Sequence, residues 1–295
     1  MVRDLLSGRD AQAEAALDVI AWADPDVILL GDVDWDASGA GLDALLRRLA
    51  DHGLRYPWHV VRRPNAGLPS GADLDGDGRL GTARDALGYG RFTGDSGLVL
   101  LSRIPLGPVA DHSAAPWADA GDLVPEGVSI PIPTVAQWVV PLEGTGLSLV
   151  TLAAGTPVFD GPEDRNGIRN AAELVLAATL AEGEAMPVLL GRANVDPVDG
   201  AGRRDAMRAL LSHPRWRDPE PRGRGGGGDG HRGDPRLDTA AWEGPGPLRV
   251  DYVLVASQVQ VLDAGVAWPA ADDPFATTVA AAGTGRLVWV DLRLP

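Results

Sequence analysis

The chain has 295 residues, 45% of them hydrophobic, and a formal net charge of −15, which is enough apolar material for one large core or two modest ones. It contains no Cys, and all 26 of its basic residues are Arg. Disulfides, thiolate metal ligands, Cys nucleophiles and lysine Schiff bases are therefore excluded. The acidic balance repels phosphate backbones on average, so a nucleic-acid role needs cations at the site or a local basic patch.

No apolar run reaches the ~18 residues of a membrane span, and the opening MVRDLLSGRD has neither an apolar stretch nor a small-residue cleavage site. The expectation is a chain without a membrane span or a targeting signal. Residues 11–23 (AQAEAALDVIAWA) repeat apolar groups at helical spacing, and Asp24-Pro25 stops the helix because the residue before proline avoids helical backbone. Residues 27–30 form a short apolar run of the kind buried strands use, followed by Gly31-Asp32-Val33-Asp34-Trp35-Asp36, and 42–49 read as a second amphipathic helix. Asp34 and Asp36 suit either a cation beside Asp32 or ordinary capping of the loop.

The stretch 65–90, NAGLPSGADLDGDGRLGTARDALGYG, follows. Asp73, Asp75 and Asp77 recur at every second position with Gly78 next, as in the opening of a calcium loop, where alternate side chains converge on one ion and a glycine permits the sharp turn. Arg79 then offers its backbone carbonyl. The twelfth position, where a helical calcium loop carries a bidentate Glu, is Arg84, and Asp85 is the closing carboxylate of what is a variant loop. The competing reading is a solvated Asp-Gly turn. The expected cofactor is a structural Ca²⁺.

Residues 97–102 (GLVLLS) are a strand, and 105–133 are a long connection rich in Pro and Gly. Strands at 135–142 and 146–153 make a hairpin around Glu143-Gly144-Thr145. After the polar loop TPVFDGPEDRNGIRN come a helix at 168–182, a buried strand at 188–191 ending in Arg192-Ala193-Asn194, and a short helix at 204–211. Arg165 and Arg169 lie one helical turn apart at a helix start, which suits phosphate capture, with ion pairs to Glu163 or Asp164 as the alternative. Residues 213–247, with four consecutive glycines at 225–228, are expected to be a flexible, exposed Gly/Pro/Arg-rich insertion. Strands at 249–255, 259–268 and 287–292 end the chain. Trp138, Trp268 and Trp289 are expected in the core. Helix and strand alternate at the start without a linker or repeat, which favours one layered α/β domain over 1–295.

Six segments in this order, PDVILLGDVDWD (25–36), GLVLLSRIPL (97–106), VFDGPEDRNGIRN (158–170), LLGRANVDP (189–197), RVDYVL (249–254) and GRLVWVDL (285–292), resemble the endonuclease/exonuclease/phosphatase superfamily. The likeness is closest to a bacterial branch with a similar Asp-Gly-rich loop and FDGPEDRNG segment. The resemblance implies a deoxyribonuclease I-like α/β (α+β) sandwich, two packed mixed β-sheets flanked by helices. It implies as ancestral activity phosphoester hydrolysis, in which Mg²⁺ or Mn²⁺ polarises the phosphate and a His and Asp help generate the attacking water. Carried over residue by residue, the cleft keeps Asp32 where relatives carry a metal-binding Glu, together with Asn194 and Asp251. It has Ala153 and Gly285 where the family has His, and Arg192 and Thr284 where it has Asp. By the same resemblance, an active-site Asn of the family's first strand is expected to have no counterpart, since the chain starts at what resembles the family's first helix-leading segment.

These replacements remove proton transfer, which alone contributes roughly 10²–10⁴ in rate, and charge stabilisation; Asp32 could still bind a metal, but Mg²⁺ or Mn²⁺ in the cleft is not the expected cofactor. The expectation is an impaired hydrolase or pseudoenzyme with a ligand-binding or scaffold role, Arg165, Asn166 and Arg169 holding a phosphate-containing ligand. The alternative is an active metal-dependent phosphodiesterase or phosphatase with a relocated base, His231 being the best of the five histidines. Arg192 is expected to turn inward and neutralise Asp32 and Asp251. The chain is expected to be monomeric. Nucleic acid as a partner stays open, and a calcium loop of modest affinity would suit an exported protein.

Overall fold

In the computed structural model, which describes residues 2–294, all six residues of the run GLVLLS (Gly97–Ser102) are buried. Leu98 and Leu100 face one core while Val99 and Leu101 face another, as the two-residue period of a strand requires. A strand apolar on both faces belongs in the middle of a covered sheet. This one, β3, lies between β1 (Val27–Val33) and β2 (Trp58–Val61) in a three-stranded antiparallel sheet.

A second sheet has six strands in the order β4 (Ala110–Asp111), β5 (Trp138–Pro141), β6 (Ser148–Ala153), β7 (Pro187–Arg192), β11 (Asp251–Ala256) and β8 (Trp216–Arg217). Two ribbons complete the strands, β9 (Ala240–Trp242) with β10 (Gly246–Leu248), and β12 (Gln260–Val266) with β13 (Val288–Arg293). The helices are α1 (Val2–Ser7), α2 (Ala11–Ala23), α3 (Ala40–Asp51), α4 (Arg165–Glu182), α5 (Arg204–Leu211) and α6 (Ala276–Ala281). β6 and β7 pair in parallel, and α4 is the crossover that a parallel pair needs.

The layers follow from the same alternation. Leu98, Leu100 and Val60 meet Trp138, Val140, Leu149, Val188 and Val255 between the two sheets. Leu17, Ile20, Leu45 and Leu49 of α2 and α3 cover Ile28, Val99 and Leu101 on one outer face. Leu174, Ala177, Met207 and Leu210 of α4 and α5 cover Val150, Leu152, Leu189 and Leu254 on the other. The result is a mixed α/β sandwich of packed sheets flanked by helices. No helix among the described residues is long and apolar enough to cross a membrane.

The insertion departs from expectation. Residues 213–247 carry β8, β9 and the start of β10, and Trp216, Asp238, Thr239 and Ala240 are buried. Composition underrated it because its backbone is held by side-chain carboxylates: Gly227 N donates to Asp238 Oδ2 (2.8 Å) and Gly233 N to Asp199 Oδ2 (2.9 Å). Trp138 is fully buried, whereas Trp268 and Trp289 are only partly so. They lie under the Arg286 guanidinium and over Gly265, respectively.

Glu173 of α4 is a buried carboxylate that joins three segments. It accepts from Thr134 N (2.6 Å), Thr134 Oγ1 (2.7 Å) and Gly155 N (2.7 Å). Burial pushes its carboxyl up to about 7, against the pull of Arg169 and these donors. A carboxyl raised on folding contributes fully below its unfolded value and loses that contribution as pH rises through the folded one. Relative to Glu173→Gln, the wild type should therefore lose up to about 3 kcal/mol between pH ~4.5 and ~7. Urea unfolding of both proteins across this range checks it, and parallel stability curves would contradict it.

Candidate active-site cleft

Strand ends from both sheets meet around one guanidinium. β1 loses register between Leu30 and Val33, and Asp32 takes left-handed backbone (φ 57°), which turns its carboxylate out of the strand. Gly191, at φ 128°, allows β7 to press against β6, since a Cβ there would lie 2.0 Å from Leu152 O. The register places Ala153 of β6 and Asp251 of β11 on either side of Arg192. Asn194, also left-handed (φ 57°), donates from Nδ2 to Ala154 O at 2.7 Å.

Arg192 bridges the two acids. Its Nη1 donates to Asp32 Oδ2 at 2.9 Å and its Nε to Asp251 Oδ1 at 2.9 Å, with Nη2 3.5 Å from Asp251 Oδ2. Asp251 pulls the Arg192 guanidinium further above its ordinary value. Burial pushes the Asp251 carboxyl up, partly offset by Arg192 and by Thr239. Gly285 makes room for this arrangement, because a Cβ there would lie 2.9 Å from Arg192 Nη2. Thr284 instead gives its carbonyl to Ala241 N. Asp32, Ala153, Arg192, Asn194, Asp251 and Gly285 thus gather in one place.

Thr239 is a site residue that sequence reasoning missed. Its hydroxyl accepts from Val250 N and Asp251 N (both 2.9 Å) and donates to Asp251 Oδ2 (3.2 Å), which fixes the acid that Arg192 grips. Its only advance signal was a threonine beside the Asp of a Leu-Asp-Thr triplet, too common to single out. Asp36 belongs to the loop rather than the cleft: it accepts from Ser38 N, Ala40 N and Gly41 N at the start of α3. Three histidines are engaged elsewhere, His52 with Arg48 O, His213 with Glu182 and His231 with Asp199 and Asp238.

The residues expected to hold phosphate are occupied by the fold, and that expectation is corrected. Arg169 is buried and donates to the carbonyls of Pro131, Ile132 and Pro133. Arg165 donates to Leu74 O. Asn166 donates from Nδ2 to Val158 O and from its amide to Asp160. α4 begins at Arg165, three residues earlier than its apolar period indicates, and this turns these side chains onto neighbouring loops.

In the acidic loop, oxygens of Asp73, Asp75 and Asp85 lie within 4.8 Å of one another. Asp77 stands outside this group and accepts from Arg79 N (2.8 Å). Asp73 accepts from Gly76 N and Gly78 N at 2.7 and 2.8 Å. Burial opposes the charge on Asp85, but hydrogen bonds from Leu74 N, Thr82 N and Thr82 Oγ1 outweigh it and hold its carboxyl below the usual range. Three carboxylates brought this close are a donor set suited to a hard cation such as Ca²⁺, although with a smaller ligand set than the spacing suggests.

The model of the Endonuclease/Exonuclease/phosphatase family matches residues 4–285. No curated protein matches the chain. Among solved structures, the chain is similar to the endonuclease/exonuclease/phosphatase of Beutenbergia cavernae (TM-score 0.60, 19% identity), covering 96% of this chain and 66% of that one. It is also similar to a family protein of Leptotrichia buccalis (TM-score 0.56, 12% identity, 96% of this chain and 93% of that one). A third similar structure is the 3′ phosphatase NExo of Neisseria bound to a product DNA hairpin (TM-score 0.54, 14% identity, 94% and 92%). At these identities the structures establish the fold, deoxyribonuclease I-like packed sheets flanked by helices. With the family model spanning nearly its whole length, the chain belongs to the endonuclease/exonuclease/phosphatase family.

Proposed function

We propose that this is a catalytically impaired member of the family, which acts by binding a phosphate-containing ligand or as a scaffold. One observation carries the reading: Arg192 lies 2.9 Å from both Asp32 and Asp251, supplying from the chain itself the positive charge that the family resemblance assigns to a divalent ion. A guanidinium stays charged at any working pH and can bridge two carboxylates. Its two acceptors are then less available as metal ligands. Ala153 and Gly285 carry no group able to move a proton, and the His231 ring contacts Asp199 and Asp238. The likeness to a 3′ phosphatase bound to DNA supports a phosphate-containing ligand.

Purified protein assayed on phosphodiester and phosphomonoester substrates with Mg²⁺, Mn²⁺ and Ca²⁺ in turn should show no metal-dependent turnover above an Asp32→Ala control. Metal-dependent hydrolysis abolished by Asp32→Ala would overturn the reading in favour of an active hydrolase with a relocated base.

The acidic loop is proposed as a structural Ca²⁺ site separate from the cleft, with Asp73, Asp75 and Asp85 as ligands and Asp77 and the Arg79 carbonyl as further candidates. Asp85 supports this role: its amide and hydroxyl donors hold it ionised across the turn from Leu74 to Thr82. A cation that binds only the native chain adds about 2.7 kcal/mol at one hundred times its Kd, a rise in Tm of about 5 °C for a chain of this size. Melting curves in Ca²⁺ and in chelator should differ by that order and coincide in Asp75→Asn. Superimposable curves for the wild type would remove the claim.

A further inference from the structure

A second polar cluster lies where the insertion meets the loop after β7, and the cleft chemistry does not use it. The carboxylates of Asp196, Asp199 and Asp238 are all buried there. The side chain of His231 is 9% exposed and projects between two of them. Its Nδ1 is 3.6 Å from Asp199 Oδ2, and its Nε2 is 3.7 Å from Asp238 Oδ2. Nε2 is buried with no hydrogen-bond partner.

We propose that His231 Nε2 and the Asp238 carboxylate are two protein ligands of a transition-metal site, of the Zn²⁺ class, with Asp199 orienting the imidazole from behind. The separation carries the argument. At 3.7 Å, nitrogen and oxygen are too far apart for a hydrogen bond, yet near the ~3.4 Å that two ligands with bonds of ~2.1 Å adopt around a tetrahedral ion. A metal-bound imidazole commonly has its other ring nitrogen facing a carboxylate, which fixes the ring and raises its basicity, and Asp199 has that position. An imidazole nitrogen with a carboxylate is a donor pair that Zn²⁺ accepts readily.

The charge around the pair points the same way. Asp196 accepts from the amides of Val198, Asp199 and Arg249, while the Arg249 guanidinium is paired with Asp218 at 2.7 Å. Arg232, 61% exposed, reaches Asp199 through Nε at 3.4 Å. Three buried acids thus face one exposed guanidinium and the imidazole. The backbone comes close at two glycines: a Cβ on Gly226 would lie 2.7 Å from Asp238 Oδ2, and one on Gly233 would lie 3.1 Å from Asp199 Oδ2 and 3.7 Å from His231 Nε2. Glycine at both positions lets the backbone come this close to the pair. Such an ion would pin the glycine-rich segment to the loop that follows Asn194.

The test is Zn²⁺ binding by calorimetry to chelator-treated full-length protein, with Co²⁺ as a spectroscopic substitute. One ion should bind at a site that His231→Asn and Asp238→Asn each abolish. Asp199→Asn should weaken it by about 10–100-fold, and Asp73→Asn and Asp32→Asn should leave it unchanged. To keep a folding defect from mimicking the loss, the imidazole ¹⁵N resonances of the wild type are followed as Zn²⁺ is added, and Nε2 of His231 should shift. No binding to the wild type, binding that survives in His231→Asn, or an unmoved His231 resonance would each overturn the proposal.

Discussion

Two carboxylates from different sheets, Asp32 of β1, 69% exposed, and Asp251 of β11, reach the same guanidinium at the end of the sandwich, where a positive charge is favoured. Like charges a few ångströms apart repel by about 1 kcal/mol in water and several times that at the effective dielectric of a protein surface. Asp251 is only 18% exposed and cannot be left to solvent. The Arg192 guanidinium meets this need from within the fold, on the strand between β6 and β11. Gly191 lets that strand approach β6, Gly285 leaves space for the guanidinium, and Thr239 fixes the acid it grips. Removing the cation alone would strand Asp251 as a nearly buried charge, the situation that costs most when a pair is broken.

Carboxylates organise the rest of the molecule in a related way. Asp36 gathers the amides that open α3, Asp85 closes the acidic loop, Asp196 ties the loop after β7 to β11, and Glu173 holds Thr134 and Gly155 together. Each accepts two or more hydrogen bonds, which offset part of the cost of placing its charge there. A chain with 41 acids and many glycines can order long irregular segments in this manner, because glycine permits the turn and the acid supplies the acceptors.

Much of this architecture was legible in the sequence. Short apolar runs located the central strands, and polar residues at their ends, in the family's order, located the cleft. Arg192 could be assigned inward because Asp32, Asp34 and Asp251, expected together at strand ends, would repel one another without a cation. The errors were tertiary. Arg165, Asn166 and Arg169 suited a helix-start phosphate site, but both arginines bind carbonyls of loops distant in sequence, which no local pattern announces, and Asn166 is taken up by Val158 and Asp160 of its own loop. Residues 213–247 looked unable to order because composition counts apolar area and takes no account of carboxylates that capture backbone amides. Asp77 satisfied the calcium spacing yet turned to the amide of Arg79, since an Asp followed two residues later by a free amide can always close a local turn. Thr239 and the His231 cluster depend on contacts that exist only once the insertion has folded back.

The proposed replacement of a metal ion by a guanidinium between Asp32 and Asp251 can be checked in a crystal structure from protein soaked in Mn²⁺, with anomalous data collected to locate the ion. Arg192 should lie between the two acids, with no manganese peak at either of them. Manganese bound to Asp32 and Asn194, with Arg192 turned to solvent, would contradict it.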